Sequence, residues 1–268
     1  MLKESGREHI TDKIIDGEIK DTDFRNKLFT RIGAKKDRFI NVNFSHTYFD
    51  HCYFRGCVFE NCNFNGCKFT NSNLSGSTFI SCDFTYSSFQ NTLVDQEILN
   101  SCPGYPNLKL KFARNLRKNF QGVGDADLAN KAIKIELNAK RTHLLKSWYS
   151  NESYYRGKYE KKDRVIAFFK WLWFKIQDFI WGNGESTTKL LRTGFIFWII
   201  MMFIDVSKNG DYNQISNYWN TFVKMPQIFL SIEKPDSYPD YYLSFIFIIR
   251  VIAFGLFMSI LLKRYNKR

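Results

Sequence analysis

The sequence is short of every arrangement that ordinarily carries catalysis. Its four histidines, His9, His46, His51 and His143, are scattered. No G-x-S-x-G elbow, phosphate loop, HExxH helix or paired CxxC occurs, so no enzyme is expected and no catalytic residue or cofactor is assigned. No signal peptide is evident at the N-terminus, so the cysteines are expected to face a reducing cytoplasm and to stay free. Base-reading motifs and stacking platforms are also missing. The formal charge of +13 is therefore not taken as a sign of nucleic-acid binding. Glycine is absent from Asn217 to Tyr241, which withholds from that stretch the backbone freedom that a narrow ion filter uses.

What is present begins with a period. Phe39, Phe44, Phe49, Phe54, Phe59, Phe64, Phe69, Leu74, Phe79, Phe84, Phe89 and Val94 follow one another at five-residue steps. Two residues before each lies a second column, mostly small, that includes Asp37, Thr47, Cys52, Cys57, Cys62, Cys67, Ser72, Ser77 and Cys82. A period of five fits neither the 3.6 of a helix nor the 2 of a strand, so it marks a repeat architecture. The same phase continues weakly upstream through Ile14, Ile19, Phe24, Phe29 and Ala34. There the small column fails at Lys27 and Ile32, which leaves residues 1–36 as either a degenerate first coil or a cap.

These columns resemble the pentapeptide-repeat family. The resemblance implies a right-handed four-sided β-helix over residues 37–99, with one unit per face and coils about 4.8 Å apart. Large and small columns would both point inward, and residues twenty apart would be neighbours. The expected coil core is Phe44, Phe49, Phe54, Phe59, Phe64, Phe69, Leu74, Phe79 and Phe84, with Cys52, Cys57, Cys62, Cys67 and Cys82. Four cysteines within sixteen residues suggest zinc at first sight. Structural zinc ligands, however, converge in closely spaced pairs, and an unbroken five-residue spacing over four faces does not converge. The thiols are read as core filling, with no metal site.

The far end of the chain is of another kind. Residues 242–262 form an apolar run long enough to cross a bilayer, broken only by Arg250. A shorter run, GFIFWIIMMFI from Gly194, reaches spanning length when extended back over Lys189 to Arg192, whose long stems can snorkel. Together they predict a two-span hairpin over residues 188–262 with an outside loop, 207–241; a buried helix of a soluble domain is the alternative for the first span. Basic residues from Lys158 to Arg192 and after Leu262 outweigh the loop's Lys208, Lys224 and Lys234, which face Asp205, Asp211, Glu233, Asp236 and Asp240. The positive-inside rule then places both termini in the cytoplasm of a multi-pass plasma (inner) membrane protein. Anionic headgroups are the expected lipid partners.

Between coil and hairpin, residues 107–150 read as an αα-hairpin whose second helix is capped by Asp125. Residues 163–182 read as an amphipathic helix, with Trp171, Trp173 and Trp181 as interface anchors. Packing against the αα-hairpin is the other reading of that helix. The order of parts, closing on a turn at Gly184 and Glu185 before two spans, resembles pentapeptide-repeat proteins that carry a two-span potassium-channel-like module. The filter motif of that module is absent here.

That resemblance implies an oligomeric, channel-like or pore-forming membrane protein, expected as a homo-tetramer, with the coil as sensor or assembly module. Arg250 and Asp205, with Gly255 one turn below Arg250, are the candidates for a membrane path or gate. Arg250, about 12 Å inside its span at 1.5 Å per residue, either faces an oligomer interior or snorkels toward Asp205 or lipid phosphate. The alternative function is a non-conducting membrane-anchored scaffold, or a membrane-disrupting effector, controlled by a cytoplasmic protein partner bound to the coil. DNA mimicry, a role known in the family, needs a strongly acidic surface. Between Asp37 and Asp95 five acids stand against three bases, which disfavours it.

Overall fold

The computed structural model describes residues 6–209, 213–235 and 238–265. Residues 1–5, Asp211 and Asp236, and the side chains of Lys208 and of the tail after Leu262, lie outside the described residues. The chain divides into two compact units, Met1–Phe168 and Phe169–Arg268.

The first unit opens with a parallel β-solenoid of about four turns. Three of its sides are ladders. His9–Thr11 (β1), Leu28–Thr30 (β4), Tyr48–Asp50 (β7), Lys68–Thr70 (β10) and Ser88–Gln90 (β12) form one sheet; Ile14–Ile15 (β2), Gly33–Lys35 (β5) and Tyr53–Arg55 (β8) form the second; Glu18–Lys20 (β3), Arg38–Ile40 (β6), Val58–Glu60 (β9) and Thr78–Ile80 (β11) form the third. The fourth side is a column of single bridges, Asp23 to Asn43 to Asn63 to Asp83. Registers such as Phe49 opposite Phe69 opposite Phe89 set the coil at twenty residues.

Stacking in the interior follows from this register. Phe44 lies on Phe64 at 5.1 Å and Phe64 on Phe84 at 4.8 Å, nearly parallel, while neighbouring columns meet edge to face, as Phe59 does with Phe64 at 74°. Both arrangements suit the aromatic quadrupole. Corners recur with the same period. Asn41, His46, His51, Asn61, Asn71 and Ser81 all have positive φ, as do Gly56, Gly66 and Gly76, so one residue in five is held in the left-handed region that Gly and Asn tolerate best.

Upstream, the stretch is a coil in which Ile19, Phe24, Phe29 and Ala34 keep the expected inward phase, and the departure falls at Ile14. Ile15 packs against the core, whereas Ile14 is 86% exposed. The reason is a four-residue face. Partners are nineteen apart at Ile15 and Ala34 but twenty apart at Ile19 and Phe39. Gly17 absorbs the missing residue with φ 93°, and its N–H donates at 2.8 Å to the buried Asp37 carboxylate, which also accepts from Lys35 N at 2.7 Å. Ile32 does not break the interior either. It is buried together with Ala34, so large and small have exchanged places relative to Cys52 and Phe54, and the face keeps its volume.

The C-terminal end of the solenoid is closed by a helix, Pro106–Gly122 (α1). Phe112 meets Phe84 and Phe89 at 6.0 and 6.1 Å. On the same face Asn115 accepts from Phe89 N (2.7 Å) and donates to Phe89 O (3.2 Å). One turn on, Asn119 accepts from Thr92 N (2.9 Å) and donates to Thr92 O (2.7 Å). The two amides thus complete backbone groups that a further coil would have paired. Ala126–Tyr149 (α2) packs antiparallel on α1, with Asp125 accepting from Leu128 N at 2.8 Å as its N-cap. A short helix, Ser153–Lys158 (α3), precedes Lys161–Trp181 (α4), which runs through the boundary between the units.

The second unit holds Thr187–Asn209 (α5), Ile215–Phe229 (α6) and Asp240–Tyr265 (α7). Thr187–Ser207 and Asp240–Leu262 are long and apolar enough to cross a membrane, with mean hydropathy 1.7 and 2.6. At 1.5 Å per residue both exceed about 30 Å, the thickness of a bilayer's hydrocarbon. Between the spans the sequence predicts a short helix, Tyr218 to Met225; α6 is longer in both directions and carries Pro226 inside it. It packs on α5 through Phe222 on Phe195 (5.9 Å) and Phe229 on Phe197 (6.0 Å).

Candidate functional site

Within the coil, the cysteine column has a shared task. Cys52, Cys57, Cys62, Cys67 and Cys82 each lie within sulfur hydrogen-bonding distance of the carbonyl of the residue 23 positions earlier: Phe29, Ala34, Phe39, Phe44 and Phe59, at 2.9 to 3.6 Å. Thr47, Ser72 and Ser77 donate their hydroxyls in the same way to Phe24, Phe49 and Phe54. The column therefore selects a small donor, which accounts for Cys, Ser and Thr in place of Ala. Burial pushes the Cys52 thiol up to about 11 and Cys67 up to about 12, so neither is a ready thiolate. Cys82 and Phe79 differ from the others in being half-buried, on the side where a 3-10 turn, Gln96–Ser101, follows. All six cysteines are free. Among the described residues no group of three or more His, Cys, Asp or Glu is placed to hold a metal.

His143, on α2, lies in a cluster that spacing alone does not reveal. Its Nδ1 is 3.2 Å from the Tyr155 hydroxyl and its Nε2 3.4 Å from that of Tyr159. Burial, then Lys158, push it below its usual value. Tyr155 is itself buried, and the trio fastens α2 to α3.

The three tryptophans differ. Trp173 is 61% exposed, whereas Trp171 and Trp181 are half-buried, with Lys175 Nζ 5.9 Å from the Trp171 ring. After Trp181 the chain turns sharply at Gly182–Gly184. Gly182 has φ 66°, and a Cβ there would lie 2.9 Å from Ser186 Cβ, so the corner requires glycine. Side chains from α5 hold it. Arg192 donates to Phe179 O at 2.5 Å and lies over the Phe179 ring at 4.4 Å, Thr193 donates to Ile180 O at 3.0 Å, and Lys189 pairs with Asp178 at 2.8 Å. Arg192 and Thr193 thus meet open carbonyls at the end of α4.

In the second unit, Asp205 accepts from Thr221 Oγ1 at 3.3 Å. Burial, then Asp205, push the Tyr238 hydroxyl up. Tyr238 also belongs to a core with Met201, Met225, Ile228 and Ile246. Arg250 is half-buried, its guanidinium 4.9 Å from the centre of the Phe247 ring, a cation–π contact. Gly255 is exposed, and a Cβ there would meet nothing within 4 Å. Among the described residues it therefore serves no helix crossing. Only 11% of the α7 span and 17% of the α5 span are buried.

These features define a class: a capped parallel solenoid of five-residue units followed by helices, two of membrane-spanning length. Family profiles identify the units. Residues 38–76 match pentapeptide repeats (8 copies) and residues 59–97 match a second pentapeptide-repeat profile (9 copies), so residues 38–97 are a pentapeptide-repeat segment. No curated protein matches the sequence. Among solved structures, the chain is similar to two trypsin-treated variants of QnrB1, a plasmid-mediated fluoroquinolone resistance protein. One is 12% identical, covering 33% of this chain and 68% of that one with a TM-score of 0.20; the other is 13% identical, covering 33% and 54% with a TM-score of 0.14. At those scores the likeness bears on neither function nor partner.

Proposed function

We propose that the protein is a multi-pass plasma (inner) membrane protein whose two-span hairpins assemble into a channel-like or pore-forming homo-oligomer. A tetramer is the expected form, with both termini and the coil in the cytoplasm. The coil acts as sensor or assembly module, and no catalysis is assigned. Arg250 carries this reading. It sits near the middle of a helix whose span is otherwise apolar and largely uncovered by its own chain. Lipid can cover the apolar faces. A guanidinium at that depth costs about 3 kcal/mol or more in hydrocarbon, and a neighbouring hairpin or a water-filled path removes that cost.

The test is conductance of the purified protein in planar bilayers. Ions should pass, and Arg250→Ala should change the current's size or its cation/anion preference while cross-linking shows the oligomer intact. Loss of assembly in Arg250→Ala would make Arg250 structural. If no current appears, under voltage or with cell extract added, and a soluble protein is recovered on the coil, the membrane-anchored scaffold or effector is the better reading.

A further inference from the structure

The helix α4 presents three zones around its axis. Val165, Phe169, Leu172, Trp173, Ile176 and Phe179 are all exposed, between 37% and 61%. On a wheel of about 100° per residue they fall within an arc of about 120°. Ala167 and Phe174, opposite them, are buried. Lys170 and Lys175 flank the open arc, one on each side. A helix buried on one side and openly apolar on the other, with lysines along both margins, is covered by something other than water.

Connectivity and charge say what covers it. The last turn of α4 is tied to the first turns of α5 by Arg192, Thr193 and Lys189 through the contacts described above. The Gly182–Gly184 corner between them leaves no slack for α4 to swing far from where α5 enters the hydrocarbon. With Lys189 paired to Asp178, the cations Lys170, Lys175 and Arg192 at this end match an anionic headgroup layer. We propose that α4 lies in the plane of the cytoplasmic leaflet, its open face sunk to the acyl boundary and its lysines at anionic headgroups. This rests on α5 being a span.

The experiment uses the full chain in vesicles of phosphatidylcholine with phosphatidylglycerol. Nitroxide labels are placed through Phe169→Cys, Trp173→Cys and, as a control in the span, Ile200→Cys. The background carries Cys82→Ser and Cys102→Ser, the other four thiols being buried. Labels at all three sites should be relaxed several-fold more by oxygen, which dissolves in lipid, than by a water-soluble nickel chelate. Adding Lys170→Gln and Lys175→Gln should lower that ratio at position 173 in the anionic vesicles and leave it unchanged in pure phosphatidylcholine. If Ile200 reports lipid while Phe169 and Trp173 report water, the docking surface is refuted and the span stands. Labels at 169 and 173 shielded from both agents would mean that protein covers the face, which also refutes it. Should Ile200 itself report water, the spanning reading fails first.

Discussion

Phe64 and Asn63 are adjacent in sequence and opposite in consequence. Phe64 is 1% exposed and stacked between Phe44 and Phe84. An aspartate there would be a buried charge without a partner, so Phe64→Asp should unfold the solenoid, at a cost above about 4 kcal/mol. Asn63 uses its Oδ1 to accept from Asn65 N at 2.9 Å. A carboxylate performs that task equally well, as Asp83 does for Thr85 N one coil away and Asp23 does for Arg25 N. Asn63→Asp should stay within about 0.5 kcal/mol in chemical denaturation. Similar losses for both would contradict the inward column. The large column was legible because twelve consecutive positions at five-residue steps admit no other period. Asp37 was not: as the small member of its pair it looks like a misfit, and only the shortened face at Gly17 makes its buried carboxylate an acceptor for two backbone N–H groups.

At the scale of elements, the closing of the solenoid by α1 is what the sequence left unread. Phe112, Leu116 and Phe120 announce an apolar face. Asn115 and Asn119 fall on that face too, one residue before Leu116 and one before Phe120, and a polar residue within an apolar stripe is the available signal for a buried amide task. Nothing in local spacing says that the task is to pair with Phe89 and Thr92, because both partners lie 26 or 27 residues away. The loop helix α6 was foreseen too short for a related reason: its added turns, with Pro226 inside, are secured by packing on α5 rather than by local signals.

Two measurements address α1. Asn119→Leu strands the N–H and the carbonyl of Thr92, which is fully buried, and should cost about 3 kcal/mol in denaturant unfolding of the first unit. Glu136 on α2 accepts from Arg114 at 2.9 Å and Arg117 at 2.8 Å. Burial acts to raise its carboxyl, but the two guanidiniums outweigh it and hold the group below its ordinary value. A carboxyl lowered in the folded state contributes stability that is present above its unfolded value, about 4.3, and is lost as pH falls through the lower folded one. Glu136→Gln should therefore cost about 1 kcal/mol at neutral pH and flatten the acid limb of the stability profile. An unchanged limb would assign acid sensitivity to other carboxylates.

For the molecule as a whole, the decisive property under the proposed function is which side of the membrane each part would occupy. Helix length and hydropathy give two segments able to cross and do not orient them. In the proposed hairpin, charge is what orients them. Lys158, Lys161, Lys162, Arg164, Lys170, Lys175, Lys189 and Arg192 precede or begin the first span. In the loop, Lys224 lies 3.8 Å from Glu233, and Asp205 and Asp240 stand at its two margins. Translocating the loop thus moves few uncompensated cations, whereas translocating the flank moves many, and the positive-inside rule follows that difference. Ser216 is exposed near the start of α6, and Ser150 caps the end of α2. In intact cells, a membrane-impermeant maleimide should label Ser216→Cys and leave Ser150→Cys unlabelled until the membrane is opened. Labelling of Ser150→Cys alone would invert the hairpin and put the coil outside. Labelling of both would mean that only one segment crosses, which removes the hairpin on which oligomer, path and interfacial helix all depend.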